Sequence, residues 1–213
     1  MDPTLIQKIC IWAIPLIFAI TVHEVAHGWV ASKFGDQTAR LAGRLTLNPI
    51  KHIDIVGTVI VPLMLLLFSP VIFGWAKPVP VDARNLRNPR LDMVFVAIAG
   101  PISNFLMALL WAILAKSTQG LSPWFSIPLV KMGLAGVAIN VMLGVLNLLP
   151  VPPLDGGRVL YHLLPGKLAW QYYKLEPYGF FILLIMMFTG ILSAILYPPI
   201  IFLTNFILNI FNI

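Results

Sequence analysis

Six apolar stretches alternate with short polar loops along the 213 residues. A hydrocarbon layer about 30 Å thick takes roughly 20 apolar residues to cross as a helix. The stretches at 5–31, 56–75, 93–115, 126–149, 178–197 and 199–213 reach or approach that length. The second carries Pro62 and the pair Ser69-Pro70, which favours dipping into a membrane as much as crossing it, and the last is barely long enough. Between them, "KFGDQTARLAGRLTLNPIKHID" (33–54) and "GWAKPVPVDARNLRNPRLD" (74–92) alternate apolar residues with polar ones or prolines and predict short strands. The expected fold is an all-α polytopic membrane protein of about six transmembrane or re-entrant helices with short β-hairpin-like segments in the loops. It forms a single membrane-embedded domain over 1–213, with a core at about 5–160 and C-terminal helices at about 178–213. There is no internal repeat, no low-complexity tract and no linker to a soluble domain.

Composition strengthens that reading. The chain is 59% hydrophobic and only 10% charged, with a mean hydropathy of +0.92, against about 25% charged residues in ordinary soluble domains. The single Cys10 excludes an internally stapled scaffold. The net charge of +6 is scattered between apolar runs rather than gathered on a stripe with aromatics. It predicts loops at an anionic lipid surface, and no nucleic-acid partner. Lys8 and the apolar run after it resemble a signal peptide, but no early basic region or small-residue cleavage site follows, so this segment is expected in the mature protein. Orientation stays open. The 33–51 and 77–90 loops each carry four basic residues, which face opposite sides if 56–75 crosses and one side, cytoplasmic by the positive-inside rule, if it re-enters.

Against this background the stretch "AITVHEVAHGWVAS" (19–32) is out of place. His23 and His27, four apart, share one face of a helix and can bind one metal ion. Glu24, one residue round from that face, can take a proton from an attacking water without being a ligand. This is the pattern of zinc-assisted hydrolysis, in which water is acidified from a pKa of 15.7 toward about 7. A polar contact between membrane helices is the plainer explanation. However, ionisable groups inside a span are costly, and the chain has only four histidines and two glutamates to place in this pattern.

A catalytic zinc needs a third protein ligand. Glu176 is the only other glutamate, and Val30 and Lys33 stand where a longer H-E-x-x-H-x-x-G-x-x-H motif would have its glycine and third histidine. Asp36, Asp54, Asp82, Asp92, Asp155, His52 and His162 remain. Asp155 stands out, because in "NVMLGVLNLLPVPPLDGGRVL" it follows a helix broken by Pro150, Pro152 and Pro153. Broken backbone at membrane depth is tolerated only against protein or a water-filled cavity. In the helix before it, Gly136, Asn140, Gly144 and Asn147 form one small, polar face. Helix packing explains the two glycines, and Asn147 points to function.

Taken together, His23-Glu24-x-x-His27 and Asn147-Leu-Leu-Pro150-Val-Pro-Pro-Leu-Asp155-Gly156 resemble the site-2 protease family of intramembrane zinc metalloproteases, also called the M50 peptidases. The segments "GRLTLNPIKHID", "FGWAKPVPV" and "AGPISN" are similar to short prokaryotic members, over about 13–158 in all. The resemblance implies one Zn2+ per chain held by His23, His27 and Asp155, with Glu24 activating water. It implies that Asn147 binds substrate backbone or helps stabilise an oxyanion, and it puts His52 near the zinc. Gly100, Pro101 and Asn104 match a helix-packing motif of the family. Neither a PDZ domain nor an appended CBS domain is expected within these 213 residues.

The resemblance further implies a transmembrane protein as substrate, cleaved within the bilayer of a prokaryotic plasma (inner) membrane by a multi-pass integral protein. The extended segments at 79–81 or 44–48 are expected to hold the unwound substrate by strand addition. Two other classes compete: a metal transporter using the His/Asp cluster as a transit site, and a catalytically silent membrane scaffold. A transit site would use Glu24 as a ligand, whereas a protease uses it as a base.

Overall fold

A computed structural model describes residues 4–60, 75–118 and 120–213. Among these residues the chain is helical, with no strand. The helices are α1 (Leu5–Lys33), α2 (Thr38–Leu41), α3 (Pro89–Ser117), α4 (Pro123–Asn147), α5 (Asp155–Leu163), α6 (Gly166–Tyr173), α7 (Gly179–Phe188) and α8 (Ile191–Phe211). Four of them, α1 from Ile9 onward, α3, α4 and α8, are long and apolar enough to cross a membrane.

Helix starts follow local chemistry. Thr4 caps α1 with a reciprocal Gln7 contact, and prolines open α3 and α4 where a missing N–H costs nothing. The core lies between α3, α4 and α8, where Ala108, Trp111, Ala112, Val137, Val141 and Ile207 are buried together. Small residues allow the close approach that drives helix association in lipid. Outward faces carry exposed large hydrophobics such as Phe95, Leu106, Phe202 and Phe206, as lipid contact requires.

The C-terminal third differs from the sequence expectation. Two spans, 178–197 and 199–213, were to be divided near Pro198-Pro199. Instead the break falls at Gly190, whose φ of +77° makes the turn, and α8 runs through both prolines as one helix. Proline removes the bond to the carbonyl four residues back but does not forbid a helix when neighbours support it, whereas a left-handed residue ends the ladder outright. The stretch at 56–75 lies mostly outside the described residues. Its flanks are adjacent, since the Trp75 amide donates to the Gly57 carbonyl (3.0 Å) and the Thr58 hydroxyl to the Trp75 carbonyl (2.9 Å).

The predicted hairpin-like strands are not seen either. Residues 75–82 have no regular secondary structure, and the only bend in 44–48 is at 46–47. Pro78 and Pro80 supply no donors, so one edge of the segment cannot be paired. The two loops are cross-tied instead. The Lys77 amide donates to the His52 carbonyl, the Arg87 amide to the Phe34 carbonyl, and the Arg44 guanidinium to the Lys77 carbonyl (2.8 Å).

Candidate metal centre

The last three turns of α1 bring His23 and His27 onto one face, their rings 4.7 Å apart and nearly perpendicular. Asp155 approaches from the first turn of α5, where a carboxylate is favoured by the helix dipole. The turn into α5 is tight: a side chain at Gly156 would place its Cβ 2.3 Å from the Leu148 carbonyl oxygen. Asp155 Oδ2 lies 3.1 Å from His23 Nε2 and 3.3 Å from His27 Nε2, with all three side chains buried.

The proton positions follow from the partners. His27 Nδ1 lies 2.7 Å from the Val96 carbonyl, which only accepts, so His27 carries its hydrogen on Nδ1. His23 Nδ1 lies 2.6 Å from Asn104 Oδ1. The Asn104 amide nitrogen donates to the Ala19 carbonyl (3.1 Å), so its oxygen faces His23, which is also protonated on Nδ1. In the neutral rings both Nε2 atoms therefore direct lone pairs at Asp155 Oδ2, a buried oxygen. With neutral rings, three electron-rich atoms converge, which is an arrangement a cation satisfies. Among the described residues these three alone form such a group, their ligating atoms all within 4.8 Å of one another. Two imidazoles and a carboxylate suit zinc, and three protein ligands leave a position open for chemistry.

The other candidates for a third ligand are engaged elsewhere. Asp36 accepts from the Thr38 hydroxyl and amide, the Asp82 amide and the Asn85 side chain; Asp54 accepts from the Gly57 amide and Asp92 from the Asn88 amide. Asp82 pairs with Arg84, whose hydrogen bonds bring its carboxyl down to about 2. Burial, together with the nearby charges of Arg158 and Arg90, lowers the pKa of the His162 ring, and the His162 carbonyl accepts from Arg90.

Glu24 stands beside this group, half-buried and outside it. Its Oε2 accepts the Val79 amide at 2.8 Å, a donor that strand addition at 79–81 would otherwise use. His52 lies outside the three-residue group; its Nε2 meets the Thr46 carbonyl at 2.9 Å and its buried Nδ1 has no partner. Asn147, in the last turn of α4, donates to the Leu143 carbonyl at 3.0 Å.

Two contributors were read in the sequence as packing only. Asn104 orients His23. Gly100 lets α3 lie against both imidazoles, since a Cβ there would stand 2.4 Å from His27 Nε2 and 2.6 Å from His23 Cε1. The spacing of Gly100 and Asn104, one turn apart on an apolar helix, was the available signal.

Comparison with known proteins agrees with this chemistry. A protein of Bacillus subtilis named "Putative zinc metalloprotease YwhC" is 43% identical over 197 residues, covering 87% of this chain and 83% of that protein. "Putative zinc metalloprotease Rip2" of Mycolicibacterium smegmatis is 28% identical over 182 residues, 83% of this chain and 66% of that one. "Zinc metalloprotease MJ0392" of Methanocaldococcus jannaschii is 24% identical over 193 residues, 85% of this chain and 44% of that protein. No solved structure matches the chain. Peptidase family M50 matches residues 11–132 and 126–190, and with that coverage the chain belongs to peptidase family M50.

Proposed function

We propose that the protein is an intramembrane zinc metalloprotease that hydrolyses peptide bonds in or near the transmembrane segments of membrane proteins. Family membership and the names of the relatives support the activity. The observation that carries the assignment of residues is the convergence of His23 Nε2, His27 Nε2 and Asp155 Oδ2, with both Nδ1 hydrogens directed away from it. These three are the zinc ligands in this reading, and they fit a single ion. Bound zinc supplies a Lewis acid that acidifies water and polarises a carbonyl.

Glu24 is the general base. Its carboxylate removes the proton from the attacking water and hands it to the departing amine, and it remains outside the ligand group. That position favours hydrolysis over metal transit, where Glu24 would be a ligand, and an intact set of ligands and base argues against a silent scaffold. Asn147 is assigned to substrate backbone through its amide groups not held by Leu143. His52, whose ring meets the Thr46 carbonyl and whose own carbonyl accepts the Lys77 amide, ties the 44–52 loop to the segment that carries Val79 and is assigned to substrate.

The chain is a multi-pass protein of a prokaryotic plasma (inner) membrane, and its substrate reaches the site laterally through lipid. The end carrying the 33–52 and 77–92 loops is the cytoplasmic one. Every Lys and Arg except Lys8, Lys116 and Lys131 lies at that end, as the positive-inside rule requires. His27 sits six residues, roughly 9 Å of helix, before Lys33 at the close of α1.

The assignment is tested on purified wild type, Glu24→Gln and Asp155→Ala by zinc content and cleavage of a model transmembrane substrate. Glu24→Gln is expected to keep zinc and lose about 10²- to 10⁴-fold in turnover, and Asp155→Ala to lose zinc as well. Full activity in Glu24→Gln would overturn it.

A further inference from the structure

We propose that Asn140, in α4, is a positioning residue for the metal centre, acting through Asn104 to keep the hydrogen of His23 on Nδ1. The inference rests on the zinc reading only for its effect on metal binding.

Asn140 hydrogen-bonds to none of the three ligands, and both asparagines are fully buried. The Asn140 nitrogen donates to the Gly136 carbonyl of its own helix at 2.9 Å. A carbonyl only accepts, so the Asn140 oxygen is turned to α3, where it accepts from the Asn104 nitrogen at 3.0 Å. The other hydrogen on that nitrogen goes to the Ala19 carbonyl. With both amide hydrogens held, Asn104 presents only its oxygen to His23 Nδ1.

Each polarity dictates the next, from the α4 backbone to a ligand on α1. Reversing Asn104 would set its oxygen against two acceptors and its NH2 group against an N–H, in a place no water reaches. Removing Asn140 deletes one of the two anchors against that reversal. The alternative imidazole tautomer carries hydrogen on Nε2 and has no lone pair there for a metal. The small, polar stripe of α4 thus has a role beyond packing.

The test uses the full chain in detergent as wild type, Asn104→Leu, Asn140→Leu, the double variant and Asn140→Asp. Zinc affinity is measured by competition with a chromophoric chelator. The His23 tautomer is read by nitrogen NMR of the metal-free, histidine-labelled protein and assigned by difference from His23→Gln. Asn140→Leu is expected to weaken zinc about tenfold, at the lower end of outer-shell effects, and to give His23 a mixture of tautomers. Asn104→Leu should weaken it at least as much. The double variant should be no weaker than Asn104→Leu alone, because one residue acts through the other. Asn140→Asp, as a buried neutral acid with one donor and one acceptor, should restore wild-type affinity to within a few-fold.

Additive losses, or wild-type zinc binding with an unchanged tautomer in Asn140→Leu, would overturn the proposal. If the leucine variants do not fold, the wild-type spectrum decides, since a His23 with no hydrogen on Nδ1 in the metal-free protein is incompatible with the relay. Should wild type bind no zinc yet show the Nδ1 tautomer and its loss in Asn140→Leu, the relay stands and the zinc reading fails.

Discussion

The Val79 amide donates to Glu24 Oε2 at 2.8 Å, across 55 residues of sequence. The carboxylate assigned as the base is therefore held from outside its own helix. Val79 lies between Pro78 and Pro80, neither of which has an N–H, so it provides the one backbone donor of that tripeptide. A regular ladder with substrate would need the same donor. The segment that carries Val79 thus acts first as a clamp on Glu24.

Val79→Pro tests that clamp. Val79 lies between two prolines in a segment with no regular secondary structure, so the change removes the donor without breaking a helix or a ladder. Zinc content should be unchanged, while turnover drops about tenfold, the equivalent of about 1.4 kcal/mol for one hydrogen bond to a charged group. Unchanged turnover in single-cycle cleavage assays would remove both the clamp and any strand role for this donor.

Gly100→Ala introduces one methyl group where three imidazole atoms stand within 2.6 Å of its position. Either the rings or α3 must move. Overpacking of this kind costs about 1–3 kcal/mol, and because the displaced atoms are those of His23 and His27, zinc affinity should fall as well as stability. Zinc titration and thermal unfolding together check this, and a variant that is merely less stable but binds zinc normally would contradict the account of Gly100.

Legibility in the sequence tracked how local each determinant is. H-E-x-x-H declares itself because helical geometry alone puts His23 and His27 on one face, and Asp155 was visible because prolines and glycines flank it. Asn104 and Gly100 were read as packing, because their partners lie on α1, 81 residues away for the Asn104–His23 contact. No spacing rule carries that information. The division of the last helix was misplaced because Pro198-Pro199 is the louder signal, while the break is made by the backbone of Gly190.

Asp36 ties the end of α1 to the segment that carries Val79. Burial raises its pKa, but hydrogen bonds from Thr38, Asn85 and the Asp82 and Thr38 amides outweigh this and hold it below the ordinary 3.8. A carboxyl lowered in the folded state stabilises in full above its unfolded value, and the contribution is lost as pH falls through the lowered value. Wild type should therefore lose stability on acidification below about 4. Asp36→Asn should be less stable at neutral pH and lose less between neutral pH and that range. Thermal melts at a series of pH values decide it; parallel curves for the two proteins would exclude Asp36 as a contributor.

Zinc should stabilise the fold it completes. A ligand that binds only the folded chain adds about 2.7 kcal/mol at a hundred times its dissociation constant. In the metal-free protein, only protons on the two Nε2 atoms can take the place of the ion beside the buried Asp155 Oδ2, so metal removal leaves the site less well satisfied. Chelation should lower the melting temperature of wild type and Glu24→Gln alike, and leave that of Asp155→Ala unchanged. A chelator-induced shift as large in Asp155→Ala as in wild type would place the metal elsewhere.

Orientation can be settled by chemistry at two points. The Lys116 ammonium lies 3.5 Å from the Asn212 carbonyl, so α8 ends at the far end of the bundle from the paired loops 33–52 and 77–92. Lys167, in α6, belongs to the loop-bearing end, where the Tyr172 hydroxyl of the same helix donates to the Pro150 carbonyl. Leu121, between α3 and α4, belongs to the other. Cys10 is the single cysteine, so Cys10→Ser provides a background for Lys167→Cys and Leu121→Cys, both at exposed positions. In intact cells with a permeable outer layer, a membrane-impermeant maleimide should label the cysteine at 121 and spare the one at 167 until the membrane is opened. The reverse pattern would put the basic end outside, against the charge asymmetry, and would move the cleavage site to the opposite leaflet.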